Sequence, residues 1–248
     1  MPNLIHIENK DTVTLLTLNR PAQKNALSIK LLNQLCEALS PTKLDGARAV
    51  IISGSEGCFS AGADLTDLQG TVDDVAVDEA VTKAVDAIYA APIPVVAAID
   101  GPCMGAAVDL ALACDLRVGS ASAYFRVPAT RLGLLYNPTA VKRIADFVPR
   151  DALFRILVLG ERIEATEASR IGLLSYPLSP DESCAAVSTA LSILEGSSDN
   201  DRAAVAASKG LLNALKSEQY DPDYWNDVRM GILGSPARRA AIEKAKKT

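Results

Sequence analysis

Histidine is almost absent from this 248-residue chain: His6 is the single example, set in the alternating stretch Leu4-Ile5-His6-Ile7. An imidazole placed there reads as a surface or edge-strand residue, and its isolation excludes Ser-His-Asp and Cys-His catalysis and most His-based metal sites. The cysteines (Cys36, Cys58, Cys103, Cys114 and Cys184) are odd in number and form no C-x-x-C pair. Neither a disulfide framework nor a zinc site is expected, and the thiols read as reduced and mostly buried. No apolar run approaches the roughly 20 residues needed to cross a bilayer; Pro94 to Ile99 and Ala106 to Ala113 stop far short. Glu8, Lys10 and Asp11 interrupt the N-terminal stretch before a signal peptide could form, so a cytoplasmic location is expected. Positive charge is not in excess either. The net charge of -5 opposes the counterion release on which nucleic-acid binding depends. There is no phosphate-binding G-x-x-x-x-G-K-[ST] sequence, internal repeat or heptad run, which disfavours nucleoside triphosphate chemistry.

What the chain does have is apolar mass: 49% hydrophobic residues against 22% charged. That balance excludes disorder and fits one compact domain with a smaller appendage. Val13 to Leu18, Ala49 to Ser53 and Val95 to Ile99 read as buried strands, and Leu116 to Val118 and Ala123 to Phe125 as shorter ones. Helices are predicted over Ile29 to Leu39 behind a Ser28 cap, over residues 72 to 90 ending before Pro92 and Pro94, and over Met104 to Cys114. Alternation of this kind predicts an α/β core with parallel strands and right-handed crossovers. From Arg150 onward the pattern is mostly helical: Thr166 caps Glu167 to Ile171, and further helices follow over Ser183 to Leu194, Ala203 to Leu215 and Pro236 to Lys247. The polar tract Glu195 to Asp201 is the best linker, dividing a core of residues 1–195 from a helical subdomain of residues 196–248. So short a tail cannot form its own core and is expected to pack on the first domain or on another subunit.

Two Gly/Ala-rich loops carry the chemistry. The first is Cys58-Phe59-Ser60-Ala61-Gly62-Ala63-Asp64-Leu65. The second runs from Asp100-Gly101 to Gly105-Ala106-Ala107-Val108-Asp109 and opens a helix. Small residues let a ligand approach the main chain, and the first N–H groups of a helix have no partner within it, so such a site attracts a developing oxyanion.

The first loop resembles the F-x-A-G-A-D-[LI] segment of the crotonase (enoyl-CoA hydratase/isomerase) superfamily. The stretch from Pro94-Val95-Val96-Ala97-Ala98-Ile99-Asp100-Gly101 through Gly105 to Cys114-Asp115-Leu116 is similar to that superfamily's second motif. Asn19-Arg20-Pro21 with Asn25-Ala26-Leu27 resembles the loop bordering coenzyme A, and Ala165 to Leu173 matches A-x-x-A-x-x-x-G-L. The resemblance implies a crotonase-like ββα spiral core with a C-terminal helical subdomain and assembly as a homotrimer or a hexamer of two trimers. It implies an acyl-CoA thioester as partner, with coenzyme A entering as part of the substrate and no separate cofactor or metal. The oxyanion donors would be the main-chain N–H groups of Ala63 and Ala106. Lys24, Ala26, Ala61, Gly62, Asp64, Leu65, Gly105, Ala129 and Arg131 would surround the substrate. Lys24, Arg20 and the run Lys244 to Lys247 would face the phosphates, and Ala241 stands where an aromatic near the adenine is usual.

The sequence departs from the hydratase pattern at its acids. Hydration of an enoyl thioester requires a water gripped by two carboxyl groups. The first glutamate falls on Asp109 and the second on Ala129, within Val127-Pro128-Ala129-Thr130-Arg131-Leu132-Gly133. Asp109, one helical turn from Ala106, would aim its shorter carboxylate near the thioester. Asp109 also resembles the aspartate of dienoyl-CoA isomerases, whose other acids align with Ala129 and Asn137. Leu132-Gly133-Leu134-Leu135-Tyr136-Asn137 resembles methylmalonyl-CoA decarboxylase, in which the tyrosine contacts the reacting carboxylate. Three readings follow: a hydratase or isomerase using Asp109 alone, a decarboxylase of a malonyl-type thioester using Tyr136, and an acyl-CoA-binding protein without turnover. Arg131 would meet a carboxylate, a phosphate or Asp109, or would lie on the surface.

Overall fold

The computed structural model describes residues 3–176, 185–197, 199–215 and 220–246. Strands β1 (Ile5–Lys10) and β2 (Val13–Leu18) form a hairpin around Asp11, whose φ of 52° supplies the left-handed turn residue. The chain then runs through α1 (Ile29–Ala38), β3 (Ala49–Gly54), α2 (Val75–Ala90), β4 (Val95–Ile99), β5 (Pro102–Met104), α3 (Ala106–Ala113), β6 (Leu116–Gly119) and β7 (Tyr124–Arg126). One five-stranded sheet has the order β1-β2-β3-β4-β6, parallel beyond the first hairpin. His6 lies exposed on its edge strand, as expected. The second sheet has the order β5-β7-β8, where β8 is Ile163–Glu164.

The uninterrupted apolar runs of β3 and β4 have a geometric cause. Alternate strand residues face opposite sides of a sheet, and here both sides are covered. Val50, Ile52, Val95, Ala97 and Ile99 pack with α1, α2 and α3. Ile51, Val96 and Ala98 on the reverse face meet Ala186, Ala190 and Leu194 of α7 (Ala186–Glu195). A parallel sheet enclosed in this way has no polar face to present. Ser28 caps α1 by accepting from the Leu31 N–H at 3.2 Å. α3 is buried from Ala107 to Ala113, which its small side chains permit.

Several expectations are corrected. Met104 belongs to β5 and not to α3, because its N–H bonds the Ser60 carbonyl (3.0 Å) in a bridge between the two motif loops. Thr166 lies inside the first turn of α6 (Ala165–Ile171), behind an extended Glu164, and makes no capping bond. Two further helices, α4 (Pro138–Ala145) and α5 (Arg150–Leu157), separate the loop after β7 from β8. Ser183, Cys184 and Lys247 lie outside the described residues; Cys36, Cys58, Cys103 and Cys114 are free thiols, all buried except the half-buried Cys36.

The C-terminal segment forms α8 (Arg202–Ala214), α9 (Pro222–Leu233) and α10 (Pro236–Ala245). α8 is fastened to the core by buried Lys209, whose Nζ donates to the Ile88 and Ile93 carbonyls (3.0 Å each) and pairs with Asp115 at 2.9 Å. Asp115 in turn accepts from the Val95 N–H at 2.7 Å, so the anchor reaches the first residue of β4. α9 and α10 bury no residue completely, and Tyr224 and Met230 stand exposed on α9. Among the described residues no helix is long and apolar enough to cross a membrane.

Candidate active site

The site begins where residues 24–27 lie alongside residues 61–64. Ala61 N–H donates to Lys24 O (2.9 Å), Leu27 N–H to Gly62 O (2.8 Å) and Asp64 N–H to Leu27 O (3.2 Å). Asn25, fully buried at φ 54°, ties this pair to the preceding turn. Its amide donates to the Ser55 (3.0 Å) and Cys58 (2.6 Å) carbonyls, while its Oδ1 accepts from the Arg20 N–H and Ser55 Oγ (2.9 Å each). Left-handed backbone at both Lys24 and Asn25 persists because so many bonds determine it.

The first loop then meets the second. Gly62 has φ 94°, and a Cβ built there would sit 2.6 Å from the Met104 carbonyl oxygen and 3.4 Å from Gly105 Cα. Gly105 has φ 51°, and its own Cβ would stand 3.9 Å from Gly62 Cα. The loops therefore touch main chain to main chain, at a separation that only glycine allows at position 62. In the Leu27–Ala63 bridge the flanking groups are used and the Ala63 N–H is not. Ala106 is the first residue of α3, one of the positions that no helix can satisfy internally. Neither the Ala63 nor the Ala106 N–H has an acceptor among the described residues, and both residues are only half-buried.

Residues 8–230 match the family model for enoyl-CoA hydratase/isomerase. The chain belongs to this family. It is 33% identical over 172 residues to "Probable enoyl-CoA hydratase echA6" of Mycobacterium tuberculosis, a span covering 68% of this chain and 69% of that relative. Among solved structures it is similar to an enoyl-CoA hydratase of Mycobacterium smegmatis, with a TM-score of 0.85, 27% identity and coverage of 98% and 97% of the two chains. An "enoyl-CoA hydratase/carnithine racemase" of Magnetospirillum magneticum superposes with a TM-score of 0.88 at 25% identity, covering 99% and 94%. The crotonase fold expected from the motifs is thus the fold observed.

Within this family member the acid at position 109 is not free. Asp109 is 5% exposed and receives two bonds from Arg143 on α4, Nε to Oδ1 at 2.6 Å and Nη2 to Oδ2 at 3.3 Å. Arg143 also reaches the Tyr89 hydroxyl at 3.4 Å and stacks 5.7 Å from that ring. Burial raises the Asp109 carboxyl above its usual range while the Arg143 bonds pull against it. Burial works against the Arg143 charge, but the Asp109 and Tyr89 contacts more than offset it and raise its pKa. The cation that meets Asp109 is therefore Arg143; Arg131 lies exposed near Gly160. Arg143 and Tyr89 were not anticipated. A signal existed, because Arg143 lies three residues after buried Ala140 and just before buried Ile144, at the edge of the apolar face of α4.

The remaining residues sort by what they touch. Tyr136 donates its hydroxyl to the Gly105 carbonyl at 2.9 Å. This is a main-chain bond, in contrast to the substrate contact implied by the decarboxylase likeness. Burial, with Asp109 nearby, raises its phenol well above the ordinary value, so it stays a donor. Asp64 is 4% exposed and internal: Oδ1 accepts from the Thr66 N–H (2.9 Å) and Oγ1 (2.8 Å), while Oδ2 forms an ion pair with Arg20 Nη1 at 2.7 Å without an aligned hydrogen bond. Arg20 also donates to the Ala26 carbonyl at 2.7 Å and so fastens the loop instead of facing solvent phosphates. Lys24 and Leu65 are exposed, Ala61 is half-buried, and Ala26 and Ala129 are buried, the latter opening a short 3-10 turn.

Proposed function

We propose that this enoyl-CoA hydratase/isomerase family member binds an acyl-CoA thioester with its carbonyl oxygen between the Ala63 and Ala106 N–H groups, and acts as an enzyme by stabilising the enolate formed when an α-proton passes to the Asp109 carboxylate, the one acid-base group its motifs retain. The contact of the Gly62 and Gly105 loops, which leaves these two donors without an acceptor among the described residues, carries the reading. A donor aimed at a developing oxyanion contributes about a hundred- to thousand-fold in rate, and main-chain donors need no particular side chain to do so. Exposed Lys24, at the lip of the first loop, supports a place for the coenzyme A phosphates. Two-carboxylate hydration is not part of the proposal, since Ala129 supplies no acid and Asp109 is engaged by Arg143.

The same clamp on Asp109 favours one other reading, retention of an acyl-CoA without turnover. Calorimetry with crotonyl-CoA and longer 2-enoyl thioesters, followed by turnover and by exchange of the α-hydrogens of a saturated acyl-CoA in deuterated water, separates them. Binding with exchange or turnover supports the enzyme. Binding with neither leaves a carrier, and no binding at millimolar thioester removes both. The family likeness supports assembly as a homotrimer or a hexamer of two trimers, which sedimentation equilibrium would test.

A further inference from the structure

The Gly105 carbonyl accepts two bonds, one from the Tyr136 hydroxyl and one from the Val108 N–H, each 2.9 Å long. This carbonyl belongs to the same peptide unit as the Ala106 N–H. Such a unit is planar and trans, so its C=O and N–H point in opposite directions and turn together. Gly105, at φ 51° and ψ −126°, lacks a side chain that would limit that turning by steric contact. Holding the carbonyl on one side therefore sets where the N–H points on the other.

We propose that Tyr136 is a positioning residue for the thioester carbonyl: its hydroxyl, bound to Gly105 O, orients and polarises the Gly105–Ala106 peptide so that the Ala106 N–H is aimed at the substrate oxygen as a strengthened donor. This rests on the oxyanion reading above. Hydrogen bonds in series polarise one another, and a carbonyl that accepts a bond makes its own amide hydrogen a better donor. The Tyr136 phenol is held in its protonated, donating form by burial beside Asp109. Tyr136 thus acts through the main chain and does not touch the reacting atoms.

The test uses cinnamoyl-CoA, whose conjugated thioester absorbs at longer wavelength when its carbonyl is polarised. The wild type is expected to red-shift the bound probe. Tyr136→Phe keeps the ring and is expected to bind the probe while losing most of the shift, with a matching loss in the displacement of a 13C-labelled carbonyl stretch. A wild-type shift that persists in full in Tyr136→Phe overturns the role of Tyr136 and leaves the oxyanion site standing. Binding with no shift in the wild type overturns the oxyanion site itself. Should Tyr136→Phe fail to fold, 2,3-difluorotyrosine at position 136, a stronger donor of equal shape, replaces it. A larger shift supports the proposal and an unchanged one overturns it.

Discussion

Asp109 on α3 and Arg143 on α4 face each other as a fork on a fork, with contacts of 2.6 and 3.3 Å and both side chains largely buried. This pairing makes Asp109, the acid one helical turn from Ala106, half of a buried ion pair. Removing one partner of a buried pair leaves the other charge without compensation, at a cost of about 3–5 kcal/mol.

Arg143→Met is accordingly expected to lose about 3–5 kcal/mol of unfolding free energy in urea. The double variant Arg143→Met/Asp109→Asn, which removes both charges, is expected to recover much of that loss. Equal losses in the single and double variants would show that Arg143 contributes mainly through its packing on Tyr89.

Gly62→Ala places a methyl 2.6 Å from the Met104 carbonyl oxygen in a left-handed backbone, whereas Gly133 has φ 69° and open space around it. Left-handed strain alone costs about 1–3 kcal/mol, so Gly133→Ala is expected to pay only that and to keep its acyl-CoA affinity. Gly62→Ala is expected to lose more stability and to abolish binding, because the loops must part. Calorimetry against crotonyl-CoA with parallel thermal unfolding checks both variants.

Lys209→Met removes the ammonium that, from the buried side of α8, bonds two carbonyls and Asp115. The expected cost is about 2–4 kcal/mol, with hydrogen bonds to a charged group counted at about 1.5–3 kcal/mol each before relaxation. The decisive measurement is limited proteolysis: cleavage between α7 and α8 should rise well before the core itself unfolds.

Acid should loosen the fold through two carboxylates. Hydrogen bonds from Arg170 and Arg155 hold Glu167 at about 2, below its ordinary 4.5. Asp64 is also lowered: burial opposes its charge, but the Thr66 and Arg20 contacts prevail. A carboxyl lowered in the folded state stabilises it above the unfolded value, and that contribution is lost as pH falls through the folded one. Asp109, raised by burial, has the opposite slope. Thermal unfolding below pH 4.5 should therefore show falling stability. Glu167→Gln and Asp64→Asn should each flatten the fall.

Most of the main-chain architecture was legible because it is written locally. Val95 to Ile99 reads as a buried strand from five apolar residues bounded by proline and Asp-Gly, and the structure has β4 over those residues. The Asp109–Arg143 bond was not legible, since it joins residues 34 apart whose meeting depends on how α3 packs on α4. Tyr136 reads from its likeness as a contact for a substrate carboxylate, whereas its hydroxyl bonds the Gly105 carbonyl, because sequence determines neither rotamer nor direction. α4 and α9 were missed although each opens with a capping Asn or Asp followed by proline, a pair that also reads as a turn.

The close approach of Gly62 to Gly105 has a consequence for how this protein tolerates change. A saturating mutational survey scored by thioester retention should trace the centre as two narrow troughs of intolerance at 62 and 105, each beside a neighbour, 63 and 106, at which many amino acids are accepted. Tolerance at 63 and 106 would then accompany the main-chain donors proposed for the thioester carbonyl, contrary to the habit of equating importance with a fixed side chain.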